Sequence, residues 1–121
     1  MHIPRTFYRI IFFSALTGLL VISSIPDITA NMPADNEGSG FRFDYLFHFL
    51  AYAGITFLYT RAYRPTWYGL LMIIAFAALE ELHQYWIPGR TVNPVDFGFD
   101  VAGLAMVVLV WLRNHRISGR F

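Results

Sequence analysis

Four stretches of the chain are hydrophobic on all sides rather than along one face. They cover about 7–25 (FYRIIFFSALTGLLVISSI), 45–60 (YLFHFLAYAGITFLYT), 67–86 and 97–112 (FGFDVAGLAMVVLVWL). None alternates with the period of two that a half-buried strand requires, so each predicts a helix. A helix that is apolar all round is buried in protein or surrounded by lipid. Crossing a bilayer takes roughly 20 residues, with roughly 17–25 tolerated. The first and third stretches meet that length. The second and fourth meet it once their polar ends lie at interfacial depth.

Residues between the stretches read as connections. Residues 26–43 are rich in Asn, Asp, Gly, Ser and Pro and predict an exposed loop. Arg61 to Pro65 (RAYRP) is short enough to make the second and third helices antiparallel neighbours. Tyr8, Tyr45, Tyr59, Trp67, Trp86 and Trp111 lie near segment ends, as interfacial anchors do. Gly54, Gly69, Gly98 and Gly103 are common in membrane helices, where they allow close approach. Arg5 and Arg9 before an apolar run also resemble a signal peptide, with a candidate cleavage point after Ala30. Ile28 stands where a small residue is needed, so a retained helix is expected.

Composition supports lipid as the solvent. The 121 residues are 56% hydrophobic and 14% charged, against roughly 25% charged in soluble domains. The expected fold class is all-α: an integral membrane four-helix bundle, one domain over 1–121, both termini cytoplasmic. The absence of cysteine excludes disulfides and thiolate chemistry. A net charge of +1 offers no basic field for nucleic acid.

Charge sorting supplies the orientation. Arg5, Arg9, Arg61, Arg64, Arg113, Arg116 and Arg120 fall in the N-terminal tail, the second connection and the C-terminal tail. Only Arg42 and Arg90 fall on the opposite side. The positive-inside rule makes the arginine-rich side cytoplasmic. All eight acids sort the other way, to the outer connections and helix ends. The expected location is the bacterial cytoplasmic (inner) membrane, multi-pass, with an acidic outer half.

The polar residues at that outer end form a candidate site. Asp44 and His48 share a face at i, i+4, an arrangement that can orient an imidazole as a proton carrier. Glu80 and Gln84 share a face, and Glu81 lies three residues before Gln84. Asp96 and Asp100 form a third i, i+4 pair, with Gly103 on the same face. Pro88 and Gly89 end the third helix and set Arg90 at the mouth, where its guanidinium can grip an anion. Ionisable groups at membrane depth are costly and point by default to function, although helix-end ion pairing would account for any single one. His83 fits a role facing interfacial water.

Metal and serine chemistry are less well supported. Glu80 to His83 matches one Glu-x-x-His motif, where a di-iron bundle needs two, and no H-E-x-x-H is present. No metal and no cofactor are therefore expected. Ser23, Ser24 and Ser39 stand in no nucleophile elbow.

The segments DYLFHFLAY (Asp44 to Tyr52) and EELHQYWIPGRTVNPVDFGFDVAGL (Glu80 to Leu104) resemble the VanZ-like family over nearly the whole chain. The pattern comprises an Asp and His opening a helix, Glu-x-x-Gln, a Pro-Gly-Arg turn, and Asp followed by Asn-x-x-Gly. Here it falls on Asp44, His48, Glu81, Gln84, Pro88, Gly89, Arg90, Asp96 and Gly103. The SSIP that ends the first segment also fits. Asp100 departs from the pattern by standing where Asn is expected. Three states suit it: protonated, paired with Arg90, or ligating a cation. The resemblance implies a bacterial cell-envelope protein, and a link to resistance against teicoplanin-type glycopeptides.

Two functional expectations follow. In the first, the site binds or processes an envelope lipid or cell-wall precursor. Its catalytic residues are His48 as proton carrier, Asp44 orienting it, and Glu81 as a second acid/base. Gln84, Arg90, Asp96 and Asp100 then contact substrate or set the geometry. In the second, the protein is a non-catalytic membrane accessory whose polar cluster is structural. The bilayer is a partner in both, and an oligomer is compatible with both.

Overall fold

The computed structural model describes residues 2–25, 43–88 and 92–117, including all their side chains except those of 43, 44, 116 and 117. It contains four α-helices and, among the described residues, no strand. They are α1 (Arg5–Ser23), α2 (Phe43–Ala62), α3 (Trp67–His83) and α4 (Pro94–Ile117). A 3₁₀ turn, Gln84–Trp86, extends α3. The fourth helix begins three residues before the predicted stretch and ends five after it. Most of the predicted loop, and Arg90, lie outside the described residues.

Local chemistry explains the helix ends. Helix α1 stops short of Pro26, which can neither donate an amide nor tolerate a helical predecessor. At that end the Ser23 and Ser24 hydroxyls donate to the Leu20 carbonyl at 3.0 and 2.7 Å, satisfying a carbonyl at the frayed terminus. Helix α3 opens on Thr66, whose extended backbone and side-chain oxygen, 3.2 Å from the Gly69 amide, form an N-cap. Ile87 is extended because Pro88 follows it, and the chain leaves α3 there. Helix α4 begins with Asn93 as cap and Pro94 at the first helical position, where its missing N–H costs nothing. The Asn93 side chain accepts the Val95 amide at 3.0 Å.

Helix α2 is central. It packs most extensively on α4 and next on α1, while α3 meets α4 along a shorter line. Gly103 permits the α2–α4 approach. A Cβ there would strike the Phe49 carbonyl and lie 3.0 Å from the Ala53 amide, so close helix packing is what this glycine serves. All four helices supply the apolar core: Phe12 and Leu19, Tyr52, Ile55 and Tyr59, Ile73 and Ala77, and Leu104.

The outward surface is strongly apolar. Met72, Leu79, Leu109 and Ile10 are 72, 65, 66 and 62% exposed. By contrast Glu80, Glu81, Asp96 and Asp100 are buried. Helix α1 and residues Pro94–His115 of α4 are long and apolar enough to cross a bilayer. Only 17% and 22% of those windows are buried inside the protein, which sets them apart from the core helices of a soluble fold.

Candidate functional site

Contacts between helices place like ends together. Ser24 of α1 meets His83 of α3, Tyr52 of α2 meets Glu80 of α3, and His48 of α2 meets Asp100 of α4. The C-terminal ends of α1 and α3 thus share one pole with the N-terminal ends of α2 and α4. At the opposite pole Arg9 reaches the Ala62 carbonyl at 3.4 Å. There the Arg9 and Arg61 guanidinium groups lie 4.9 and 5.2 Å from the ring centroids of Tyr63 and Tyr8. The described acids belong to the first pole.

His48 is the centre of the acidic pole. Its Nδ1 lies 2.7 Å from Asp100 Oδ1, and its Nε2 lies 3.8 Å from Asp96 Oδ2. With Asp100 ionised, Nδ1–H donates to the carboxylate and the ring is held in one orientation. Asp96 and Asp100 share a face of α4, which is how one helix presents carboxylates near both ring nitrogens. The Tyr45 ring stacks on Phe99 with centroids 4.9 Å apart and planes 11° apart, packing the start of α2 against α4.

Glu81 links α3 to the start of α4. Its Oε1 accepts the Asn93 backbone amide at 2.6 Å, so one carboxylate satisfies a donor of the residue that caps α4. Asn93 Nδ2 in turn lies 3.4 Å from the Tyr45 hydroxyl. Glu81 Oε2 is buried and has no hydrogen-bond partner among the described residues. His48, Glu81 and Asp96 each offer a ligand atom, all within 4.8 Å of one another.

A second polar group lies beside the first. The Tyr52 hydroxyl, one turn along α2 from His48, donates to Glu80 Oε2. Ser24 gives its single proton to the Leu20 carbonyl, so at 3.1 Å it accepts from His83 Nε2–H. His83 therefore ties α3 to α1 rather than only meeting interfacial water.

The structure brings His48, Glu81, Asp96 and Asp100 together and buries Gln84 in the adjoining 3₁₀ turn. Among the described residues, His48 is hydrogen-bonded to Asp100 and lies within ion-pair distance of Asp96. Asp44 is the second residue of α2, with its side chain outside the described residues, and Arg90 lies outside them entirely. Asp100 is hydrogen-bonded to His48, and the expected pairing with Arg90 falls outside the described residues. Tyr52 and Asn93 were not among the expected site residues. Tyr52 lies at i+4 from His48, and Asn93-Pro94 carries an N-cap signature, so both had a local signal.

Comparison with family models, curated proteins and solved structures finds no match to this chain.

Proposed function

We propose that this chain is a four-span integral membrane protein whose acidic pole faces the outer leaflet and binds or processes a cell-envelope amphiphile. The observation that carries this reading is the group formed by half-buried His48 with buried Glu81, Asp96 and Asp100, drawn from three helices. Assembling several ionisable groups where lipid surrounds the helices is costly, and such groups mark sites by default. Charge sorting supports the orientation, with arginines cytoplasmic and both termini inside.

In this reading Asp100 orients His48 and turns Nε2 toward Asp96 and Glu81, where a proton can be held or passed. Arg90, from the connection beside this pole, supplies the positive charge for an anionic head group. Asp44, at the mouth of α2, is retained as an orienting residue and Gln84 as a contact to substrate. An apolar groove of about 270 Å³ between α1 and α3 reaches Phe76, one turn from Glu80. It runs from Gly69, near the arginine pole, and gives an acyl chain a place along the bundle between the two poles. The VanZ-like resemblance agrees with this reading and extends it to a bacterial inner-membrane protein, with glycopeptide resistance as the phenotype to examine.

The second reading is a non-catalytic accessory protein. It is favoured by the structural use of the same groups: Glu81 ties down the α4 cap, and His83 joins α3 to α1. Lipid retained by the full chain after mild-detergent purification, measured by native mass spectrometry, separates the two. The site reading expects one bound anionic amphiphile, lost in His48→Ala and Arg90→Ala while helical circular dichroism is kept. Equal retention by folded variants would leave the accessory reading. Orientation is tested by Asn36→Cys in this otherwise cysteine-free chain, which an impermeant thiol reagent should label from outside.

A further inference from the structure

His48, Glu81 and Asp96 have a feature that proton transfer does not explain. The Nδ1–H of His48 is committed to Asp100, which leaves the Nε2 lone pair pointing into the cluster. Facing it are Asp96 Oδ2, at 3.8 Å, and Glu81. A proton on Nε2 would be too far from Asp96 for a hydrogen bond. It would also leave Glu81 Oε2, in a side chain only 5% exposed, buried and unsatisfied among the described residues. One cation bound to all three groups removes both problems.

We infer that His48, Glu81 and Asp96 form a three-ligand site for a divalent transition-metal ion, Zn2+ or Mn2+. The ligands come from α2, α3 and α4, so the ion would join three helices. Each is steadied at its base. Asp100 holds His48 through the other ring nitrogen, the carboxylate–histidine–metal arrangement that fixes a ligand's tautomer. The Asn93 amide holds Glu81 Oε1, and Asp96, the third residue of α4, donates its backbone amide to the Asn93 carbonyl at 3.0 Å. Bonds of about 2.0–2.2 Å at tetrahedral angles set ligand atoms about 3.3–3.6 Å apart, so the 3.8 Å pair closes by a few tenths of an ångström and the widest by up to about 1.5 Å, within reach of side-chain rotation. One imidazole with two carboxylates suits Zn2+ or Mn2+ better than Ca2+, which takes six to eight oxygens.

Three protein ligands leave coordination positions for water or for an oxyanion, the open arrangement of catalytic rather than structural metal sites. The ligand class implied is a phosphate or carboxylate oxygen. Metal at Nε2 replaces the proton-carrier role of His48. The inference rests on side-chain geometry and not on the amphiphile reading, and its test contains no added lipid.

The test uses the full chain carrying an affinity tag without histidine, purified in detergent and stripped with chelator. Titration with Zn2+ and with Mn2+ by calorimetry should give one ion per chain. Glu81→Gln and Asp96→Asn should each weaken binding at least about 10-fold, and Asp100→Asn about 10–100-fold with the stoichiometry retained. Glu80→Gln, whose carboxylate faces Tyr52, should bind as the parent does. Folded parent protein that takes up neither ion at millimolar concentration would overturn the inference. So would Glu81→Gln and Asp96→Asn binding as the parent does. If the variants fail to fold, Co2+ added to the parent protein decides. Visible ligand-field bands displaced by Zn2+ are expected, and their absence overturns the site.

Discussion

The two poles of this helix bundle handle charge in opposite ways. At the acidic pole the described carboxylates are buried, the imidazoles are half-buried, and both are bonded across helices, with His48 to Asp100, Glu80 to Tyr52, and Glu81 to the Asn93 amide. At the arginine pole, Arg9, Arg61, Arg64 and Arg113 are exposed, and two of them lie over tyrosine rings. Long side chains that bury their stems and keep their heads in water are ordinary at a membrane interface and cost little. Buried carboxylates are not ordinary, because each must be matched by a donor or a cation. The poles therefore differ in what meets their charge: water at the arginine pole, and donors from neighbouring helices at the acidic one.

Substitutions should separate the poles by size and by sign. Gly103→Val acts on the α2–α4 crossing that brings His48 to Asp100, forcing a side chain into the Phe49 backbone. It should cost about 3 kcal/mol, read as a large fall in thermal midpoint in detergent. Asp100→Ala strips His48 of its 2.7 Å partner and should cost about 2–3 kcal/mol. Tyr52→Phe leaves Glu80 without that donor and should cost about 1–2 kcal/mol. Arg61→Ala, at the other pole, loses an exposed cation–π contact worth about 0.5 kcal/mol. An Arg61→Ala cost equal to that of Asp100→Ala would erase the contrast between the poles.

Much of this contrast was legible in the sequence. The sorting of acids from arginines needed only the four apolar stretches, and the helices fall where those stretches predict. The i, i+4 pair Asp96 and Asp100, with Gly103 three residues on, correctly defined the α4 face that meets α2. Partner identity was less accessible. Spacing shows which residues share a face of one helix, not which neighbour that face will meet. The pairing of His48 with Asp100 depends on a crossing between residues 52 positions apart. The metal inference was hidden for the same reason. Its ligands come from three helices, so no motif within one helix announces them, and neither Glu80 nor His83 of the Glu-x-x-His in α3 is among them. Asn93 does carry a local signal, because its position before Pro94 suits a helix cap.

If the acidic pole keeps its charge for the proposed function, it does so at the expense of stability. The most direct measurement is the thermal midpoint of Glu81→Gln against the parent chain, both stripped with chelator in the same detergent. The glutamine oxygen can still accept the Asn93 amide, while its amide group replaces the unsatisfied Oε2 with a donor beside Asp96. Removing an uncompensated buried charge is stabilising, by about 1 kcal/mol or more, so the midpoint should rise by several degrees. A midpoint that falls as far as that of Asp100→Ala would mean that Glu81 is there to hold the helices together.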